Sequence, residues 1–62
     1  MAEWEIEQYD SGKCDVRRSG RSFLYDATDL EEAIQAIKSA DPKAPEFDLI
    51  EADGYRQSAP IR

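Results

Sequence analysis

The sequence predicts an α+β fold: a three-stranded antiparallel meander, one helix packed on the sheet, and then one or two further strands. The first supporting observation is an amphipathic stripe over residues 26–40, which is typical of a helix that covers a sheet. The second is the alternation of residues 3–9, and the third is a set of Gly-containing turn signals between short apolar runs. The 62 residues are expected to form one domain over residues 1–58, with a flexible tail at residues 59–62.

The helix is predicted from its apolar positions and from its end signals. Apolar residues recur at i, i+3, i+4 and i+7, which places on one face Leu30, Ala33, Ile34 and Ile37. Thr28 and Glu31 fit the capping box, in which each side chain satisfies a free backbone N–H. Pro42 is expected to end the helix because the residue before a proline avoids α geometry.

The first two strands are predicted to form a hairpin around the turn at residues 10–12. A three-residue loop pairs Ile6 with Val16 on the apolar face and Glu5 with Arg17 on the polar face. A two-residue loop would oppose Ile6 to Arg17, because a slip of one residue exchanges the two faces. The three-residue loop is therefore the predicted register.

The next turn signal, Ser19-Gly20, predicts a tight turn into a third strand. A two-residue loop there pairs Val16 with Phe23 and Cys14 with Tyr25. Both aromatic side chains then join the apolar side of the meander, under the helix.

After the helix, residues 46–52 are predicted to form a strand, Asp53-Gly54 a hairpin turn, and residues 55–58 a short fifth strand. The sheet is expected to be antiparallel throughout, and the order of these last strands in it is left open. The predicted core joins the apolar faces of the strands and of the helix: Trp4, Ile6, Val16, Phe23, Tyr25, Leu30, Ala33, Ile34, Ile37, Phe47 and Leu49.

The residue types argue against an enzyme. The chain has no histidine, which is the commonest general base, and its single cysteine, Cys14, is predicted to lie on the inward face. The carboxylates fall on exposed strand faces, caps and turns, and no twelve-residue calcium loop is present. We therefore expect no catalytic residue, no cofactor and no metal.

Charge and hydropathy predict a small acidic cytoplasmic protein. The formal charge is −6, which opposes nonspecific binding to nucleic acid. No apolar run approaches the ~18 residues of a membrane span. The acidic N-terminal segment lacks the apolar stretch of a signal peptide.

One basic cluster interrupts the acidic background. It consists of Lys13, Arg17, Arg18 and Arg21, on a strand and the turn that follows it. These cations could contact phosphates along one edge of the sheet. The alternative is that they complement the acidic first strand, which accounts for Arg17 opposite Glu5 but accounts less well for Arg18 and Arg21.

Two large aliphatic residues, Leu24 and Ile50, are predicted to point away from the helix. If they are contiguous on an open sheet face, they indicate a site for a protein partner or for self-association. The last strand or the strand of Trp4 is a further candidate, as an open edge to which another strand could add.

Residues 4–37 resemble the arm-type DNA-binding domain of tyrosine-recombinase integrases. The resemblance rests on a Trp that opens the first strand (Trp4), a Gly in the turn (Gly12) and an aromatic residue in the third strand (Phe23 or Tyr25). It also rests on the residues at the start of the helix, Thr28 with Glu32-Ala33. It implies a meander-plus-helix fold and binding to DNA.

Nearly the whole chain also resembles small bacterial and actinophage domains of unknown function. The shared features are a hairpin with an aromatic strand, a Glu-Glu-Ala helix start, a later strand and a terminal Asp-Gly turn, which here are residues 13–25, 31–33, 46–52 and 53–54. This resemblance implies a strand-strand-strand-helix-strand fold and no particular activity.

Three hypotheses about function follow. The leading one is a non-enzymatic cytoplasmic module that binds a protein partner, or a second copy of itself, through the sheet face or an edge strand. The second is a nucleic-acid-binding accessory domain that uses the basic hairpin. The third is an acidic phage-type protein that occupies the nucleic-acid site of a host protein as a negatively charged mimic, through Glu3, Glu5, Glu7, Asp48 and Glu51.

Overall fold

The computed structural model describes residues 2–20, 22 and 24–61, and these form one helix and one five-stranded sheet. The elements in chain order are β1 (Trp4–Gln8), β2 (Cys14–Arg18), β3 (Leu24–Ala27), α1 (Leu30–Ala40), β4 (Glu46–Ile50) and β5 (Arg56–Pro60). The helix lies over β1, β2 and β3 on one face of the sheet. The predicted α+β class and the predicted meander of the first three strands are confirmed.

The strand order is β3-β2-β1-β4-β5, and it corrects the prediction of an antiparallel sheet. β4 lies beside β1 and runs parallel to it, with Ile6 opposite Leu49. The helix and its connector carry the chain back across the sheet, and a crossover of this length permits a parallel pair. β1 is therefore the central strand, and the expectation that the strand of Trp4 could form an open edge was wrong.

The first hairpin has the predicted register. Ile6 lies opposite Val16, and Glu5 lies opposite Arg17. In the three-residue loop, the Gly12 N–H donates to the Tyr9 carbonyl at 2.9 Å. Gly12 has φ 93°, in the left-handed region that glycine enters without steric cost.

The register of the second hairpin differs from the prediction by two residues. Val16 pairs with Tyr25 and Cys14 pairs with Ala27, whereas Phe23 and Tyr25 were the predicted partners. The shift buries the small Ala27 beside the start of the helix. Tyr25 stays on the helix side of the sheet but is 39% exposed, so it is not a core residue. Because the shift is even, the faces are unchanged. Phe23 lies outside the described residues.

The N-cap of the helix lies one residue later than the predicted capping box places it. Asp29, not Thr28, is the N-cap, and its Oδ1 accepts the Glu32 N–H at 2.8 Å. The Glu32 carboxylate accepts in return from the Thr28 N–H at 2.6 Å and from the Thr28 hydroxyl at 2.7 Å. Glu32 therefore takes the role that was predicted for Glu31. The helix ends before Asp41, the residue ahead of Pro42, as predicted.

The last hairpin repeats the loop of the first. The Gly54 N–H donates to the Glu51 carbonyl at 2.8 Å, and Gly54 has φ 91°. β5 continues to Pro60, and the Ile61 N–H donates to the Pro45 carbonyl at 3.0 Å. Ile61 also packs against the core, so the chain from residue 59 is part of the fold where a tail was predicted.

The core lies between the helix and the centre of the sheet. Its buried residues are Trp4, Ile6, Cys14, Val16, Ala27, Ala33, Ile37 and Phe47. The predicted residues Leu30, Ile34 and Leu49 are half-buried and pack against it. The prediction that Cys14 is buried is confirmed.

Candidate protein-interaction surface

The sheet face opposite the helix, called here the outer face, carries charges. Alternation along each strand, together with the strand registers, assigns twelve residues to it. They are Glu5, Glu7, Asp15, Arg17, Leu24, Asp26, Glu46, Asp48, Ile50, Arg56, Ser58 and Pro60. Only Leu24 and Ile50 among them are large and apolar.

Two arginines bind the acids at the centre of the outer face. The Arg17 Nη1 lies 3.0 Å from Glu7 Oε1 and its Nε lies 3.8 Å from Glu5 Oε1. The Arg56 Nη1 lies 2.9 Å from Glu5 Oε2 and 3.2 Å from Asp48 Oδ2. These carboxylates raise the pKa of Arg56. Asp48 is only 5% exposed, so the pair with Arg56 satisfies a buried charge.

The two aliphatic residues predicted for an interface are not neighbours. Leu24 on β3 is 67% exposed, whereas Ile50 on β4 is half-buried. β2 and β1 lie between them, a separation of three strand spacings or roughly 14 Å. The charged pairs of Arg17 fill that space, so the outer face has no apolar patch that joins Leu24 to Ile50.

The basic residues do not converge on one surface. Arg17 is on the outer face, whereas Arg18 is on the helix side, with its guanidinium 4.8 Å from the centre of the Trp4 ring. Arg18 also forms ion pairs with Glu3 and, at 3.5 Å, with Asp41. Lys13 is exposed beside the first turn, and Arg21 lies outside the described residues.

The cluster of Trp4, Arg18 and Asp41 was missed from the sequence. The Trp4 Nε1–H donates to Asp41 Oδ2 at 3.2 Å, which anchors the helix C-terminus to β1. One signal was present: the predicted register of the first hairpin already places Trp4 opposite Arg18. The position of Asp41 over this pair depends on how the helix crosses the sheet.

Most of the acids predicted to form a nucleic-acid-mimicking surface are already paired with arginines of the chain. Glu3 pairs with Arg18, Glu5 and Asp48 share Arg56, and Glu7 pairs with Arg17. Glu51 accepts from the Gln57 side chain at 3.3 Å. Their charges are therefore largely compensated within the fold.

The backbone of β2 divides its hydrogen bonds between its two neighbours. The Tyr9 N–H donates to the Lys13 carbonyl at 2.9 Å, and the Ser19 N–H donates to the Glu3 carbonyl at 2.7 Å. Bonded pairs alternate along an antiparallel ladder, so the odd-numbered residues of β2 bond to β1. The even-numbered residues of β2 bond to β3.

This alternation leaves one side of β3 without a strand. Tyr25 and Ala27 lie opposite even-numbered residues of β2 and take its hydrogen bonds. The N–H and C=O groups of Leu24 and Asp26 therefore point away from the sheet. No strand of the described residues pairs with that side of β3.

The other edge of the sheet, β5, is protected. The Glu51 N–H donates to the Tyr55 carbonyl at 2.8 Å, so the odd-numbered residues of β5 bond to β4. The outward positions are those of Arg56, Ser58 and Pro60. Pro60 has no N–H to offer, and proline and charge are common means of blocking an edge strand.

A groove runs beside the open edge, between β3 and the helix. It has a volume of about 460 Å³ and is lined by Tyr25, Glu32, Gln35, Ala36, Ser39 and Ala40; we call it the β3–α1 groove. The Tyr25 hydroxyl donates to Glu32 Oε2 at 3.1 Å. Hydrogen bonds from Thr28 and Tyr25 lower the pKa of Glu32. Sequence reasoning missed this groove because it depends on the shifted register of β3.

The thiol of Cys14 is not accessible to solvent. Cys14 is buried, and burial raises the pKa of its thiol, which disfavours the reactive thiolate. No three His, Cys, Asp or Glu side chains in the described ranges are grouped to hold a metal.

The helix α1 is too short and too polar to cross a membrane, and the described chain contains no other helix. Comparison of the chain with protein-family models, with curated proteins and with solved structures finds no match, so the two resemblances drawn from the sequence remain predictions.

Proposed function

We propose that this chain is a non-enzymatic protein-interaction module that binds an extended segment of a partner at the β3 edge. The segment would add to the sheet as a sixth strand. The observation that carries the proposal is the contrast between the two sheet edges: β5 has Pro60 and the cation of Arg56 at its outward positions, whereas β3 presents its outward backbone groups beside a groove.

Strand addition at β3 has a defined geometry. The outward N–H and C=O groups of Leu24 and Asp26 supply four hydrogen-bonding groups to a partner strand. Alternate side chains of that strand would lie beside Leu24 on the outer face and over Tyr25 in the β3–α1 groove. Backbone bonds contribute affinity, and the groove contributes selectivity.

The outer face supports the proposal less well than the edge does. Its central acids are bound by Arg17 and Arg56, and a partner would have to replace these pairs. Two cations of the predicted nucleic-acid site, Arg17 and Arg18, point to opposite faces of the sheet. Neither the outer face nor the predicted nucleic-acid site offers a row of backbone N–H and C=O groups to which a protein segment could form hydrogen bonds.

A peptide library tests the proposal. Octapeptides displayed on phage would be selected on the wild-type chain and counter-selected on Asp26→Pro, which removes an outward N–H without removing a bond to β2. Ser58→Pro is the matched control, because it removes an outward N–H from β5. Asp26→Asn separates the loss of the N–H from the loss of charge.

We expect selected peptides that bind wild type and Ser58→Pro but not Asp26→Pro. In ¹H–¹⁵N spectra of the wild type, they would shift the amides of β3 and of Ala36 and Ala40 most. Trp4 fluorescence would confirm that each variant is folded. A selection without any peptide that distinguishes Asp26→Pro from wild type would refute the proposal, as would peptides whose shifts map to β5.

A further inference from the structure

We infer that the segment bound at the β3 edge is cationic, with Lys or Arg on its outer-face side and small apolar residues on its groove side. This inference rests on the function proposed above and names the chemistry of the partner. Its evidence is the distribution of charge around β3.

The outer side of β3 carries an acidic pair, and Lys13 lines the same surface depression as both acids without forming an ion pair with either. Asp15 and Asp26 lie directly opposite each other on β2 and β3, an arrangement that is destabilising for like charges. No cation of the described residues pairs with either carboxylate; Asp15 accepts a hydrogen bond from the Tyr9 hydroxyl at 2.5 Å. Closer to the centre of the sheet, Glu5 and Glu7 each have an arginine.

A strand added to β3 would supply the missing cation. Its residue opposite Asp26 would lie one strand spacing away, about 4.8 Å along the hydrogen-bonding direction. A Lys or Arg there would extend the row of ion pairs that begins with Arg56 and Arg17. An Asp or Glu at that position would instead place a third carboxylate beside those of Asp15 and Asp26.

The groove side favours a small apolar residue and no acid. Ala36 and Ala40 leave room for a side chain between the helix and Tyr25. Glu32 is the only charged residue among the six that line the groove, and its carboxylate accepts hydrogen bonds from Thr28 and Tyr25. Anionic side chains are therefore disfavoured on both sides of the partner strand.

A second copy of the chain fits the edge poorly. Two β3 strands related by a twofold axis perpendicular to the sheet keep their faces, and the residue on the axis faces its own copy. With Leu24 on the axis, the factor that opposes the pair is the net charge of each copy; the registers with Tyr25 or Asp26 on the axis also bring acidic side chains into unfavourable positions. The Asp26 register places two carboxylates together, and the Tyr25 register opposes each Leu24 to an Asp26. Each copy also carries a charge of −6.

Three synthetic probes test the inference. They are acetylated and amidated octapeptides in which Val alternates with Lys, with Glu or with Thr. Their affinities would be measured calorimetrically for wild type, Asp26→Asn and Asp53→Asn. The last variant is the matched control, because it removes the same charge from the β4–β5 turn while keeping the Oδ1 that accepts the Tyr55 N–H.

We expect the Lys peptide to bind most tightly, and its affinity to fall with rising salt because exposed pairs are screened. Asp26→Asn should weaken it by about 2- to 5-fold, the range of an exposed ion pair, and Asp53→Asn should not. Equal binding of the Lys and Glu peptides, an equal effect of both variants, or no binding of any probe would overturn the inference.

The outcomes separate the two proposals. Peptides that bind at β3 without charge preference would overturn the cationic partner and leave strand addition standing. Binding of the Lys peptide that survives Asp26→Pro would overturn strand addition itself. A wild-type dimer, seen by light scattering and lost in Asp26→Pro, would identify a second copy as the occupant and also overturn the cationic partner.

Discussion

Replacing Asp41 by alanine removes the acceptor of a buried indole N–H. Trp4 is 1% exposed, and its Nε1–H donates to Asp41 Oδ2 at 3.2 Å. Removing the acceptor of a buried hydrogen-bond donor costs about 1–3 kcal/mol. The lost ion pair to Arg18, at 3.5 Å, adds at most about 1 kcal/mol because both side chains are partly exposed.

This loss is large against the stability of so small a domain. At about 0.05–0.15 kcal/mol per residue, the whole free energy of unfolding is roughly 3–9 kcal/mol. Each 1 kcal/mol lowers the Tm of a domain of this size by about 4–8 °C. Asp41→Ala should therefore unfold roughly 4–32 °C below wild type.

Thermal unfolding, followed by circular dichroism and by fluorescence, measures this effect. Trp4 is the only tryptophan of the chain, so the emission reports the environment of that indole. Asp41→Asn keeps a side-chain oxygen as acceptor and should fall between Asp41→Ala and wild type. Asp10→Ala removes the same charge from an exposed turn and serves as the control; a Tm of Asp41→Ala within about 2 °C of it would refute the reasoning.

Three other predictions concern the first loop, the helix cap and the thiol. Gly12→Ala should lower the free energy of unfolding by about 1–2 kcal/mol in a urea titration, because a residue with a Cβ is strained in the left-handed backbone conformation of Gly12. The added Cβ itself meets no atom within 4 Å. Gly12→Asn should lower the free energy of unfolding by less than Gly12→Ala, and an equal loss would contradict this. The lowered pKa of Glu32 contributes stability that is present above the unfolded pKa of 4.5 and is lost as the pH falls through the lower folded pKa. Glu32→Gln should therefore lose less stability than wild type on acidification. If the free energies of unfolding of the two proteins fall equally with decreasing pH, the hydrogen bonds from Thr28 and Tyr25 are not the cause. Cys14 should react with a thiol reagent at the rate of unfolding, since its side chain is buried, and stoichiometric labelling of the native chain would disprove this.

The sequence predicts best what depends on neighbouring residues. The first hairpin follows from Gly12 and from the pairing of Ile6 with Val16, and both are local features. The register of β3 was predicted two residues away from the structure, because an even shift leaves Leu24 and Tyr25 on the same faces. Alternation therefore cannot distinguish the two registers.

The candidate site lies mostly beyond such local rules. The pairing of Glu5 with Arg17 could be predicted, but the contacts of Arg56 require β4 to lie beside β1. No turn connects these strands, so no short-range signal indicates that they pair. The open edge of β3 likewise follows from the strand order, and the groove beside it follows from where the helix crosses.

The parallel pairing of β1 with β4 has a consequence for how the chain folds. Ile6 and Leu49 are opposite each other in space but distant along the chain, and closing so long a loop has a high entropic cost before the contact forms. The meander and the helix involve shorter separations, so they can form first, with one side of β1 still bare. Docking of β4 should then limit the folding rate, so substitutions that weaken the contacts of Leu49 should slow folding. A fragment that ends before residue 46 would keep the centre of the sheet as an exposed edge, and mixing it with a peptide of residues 44–62 should restore the fold.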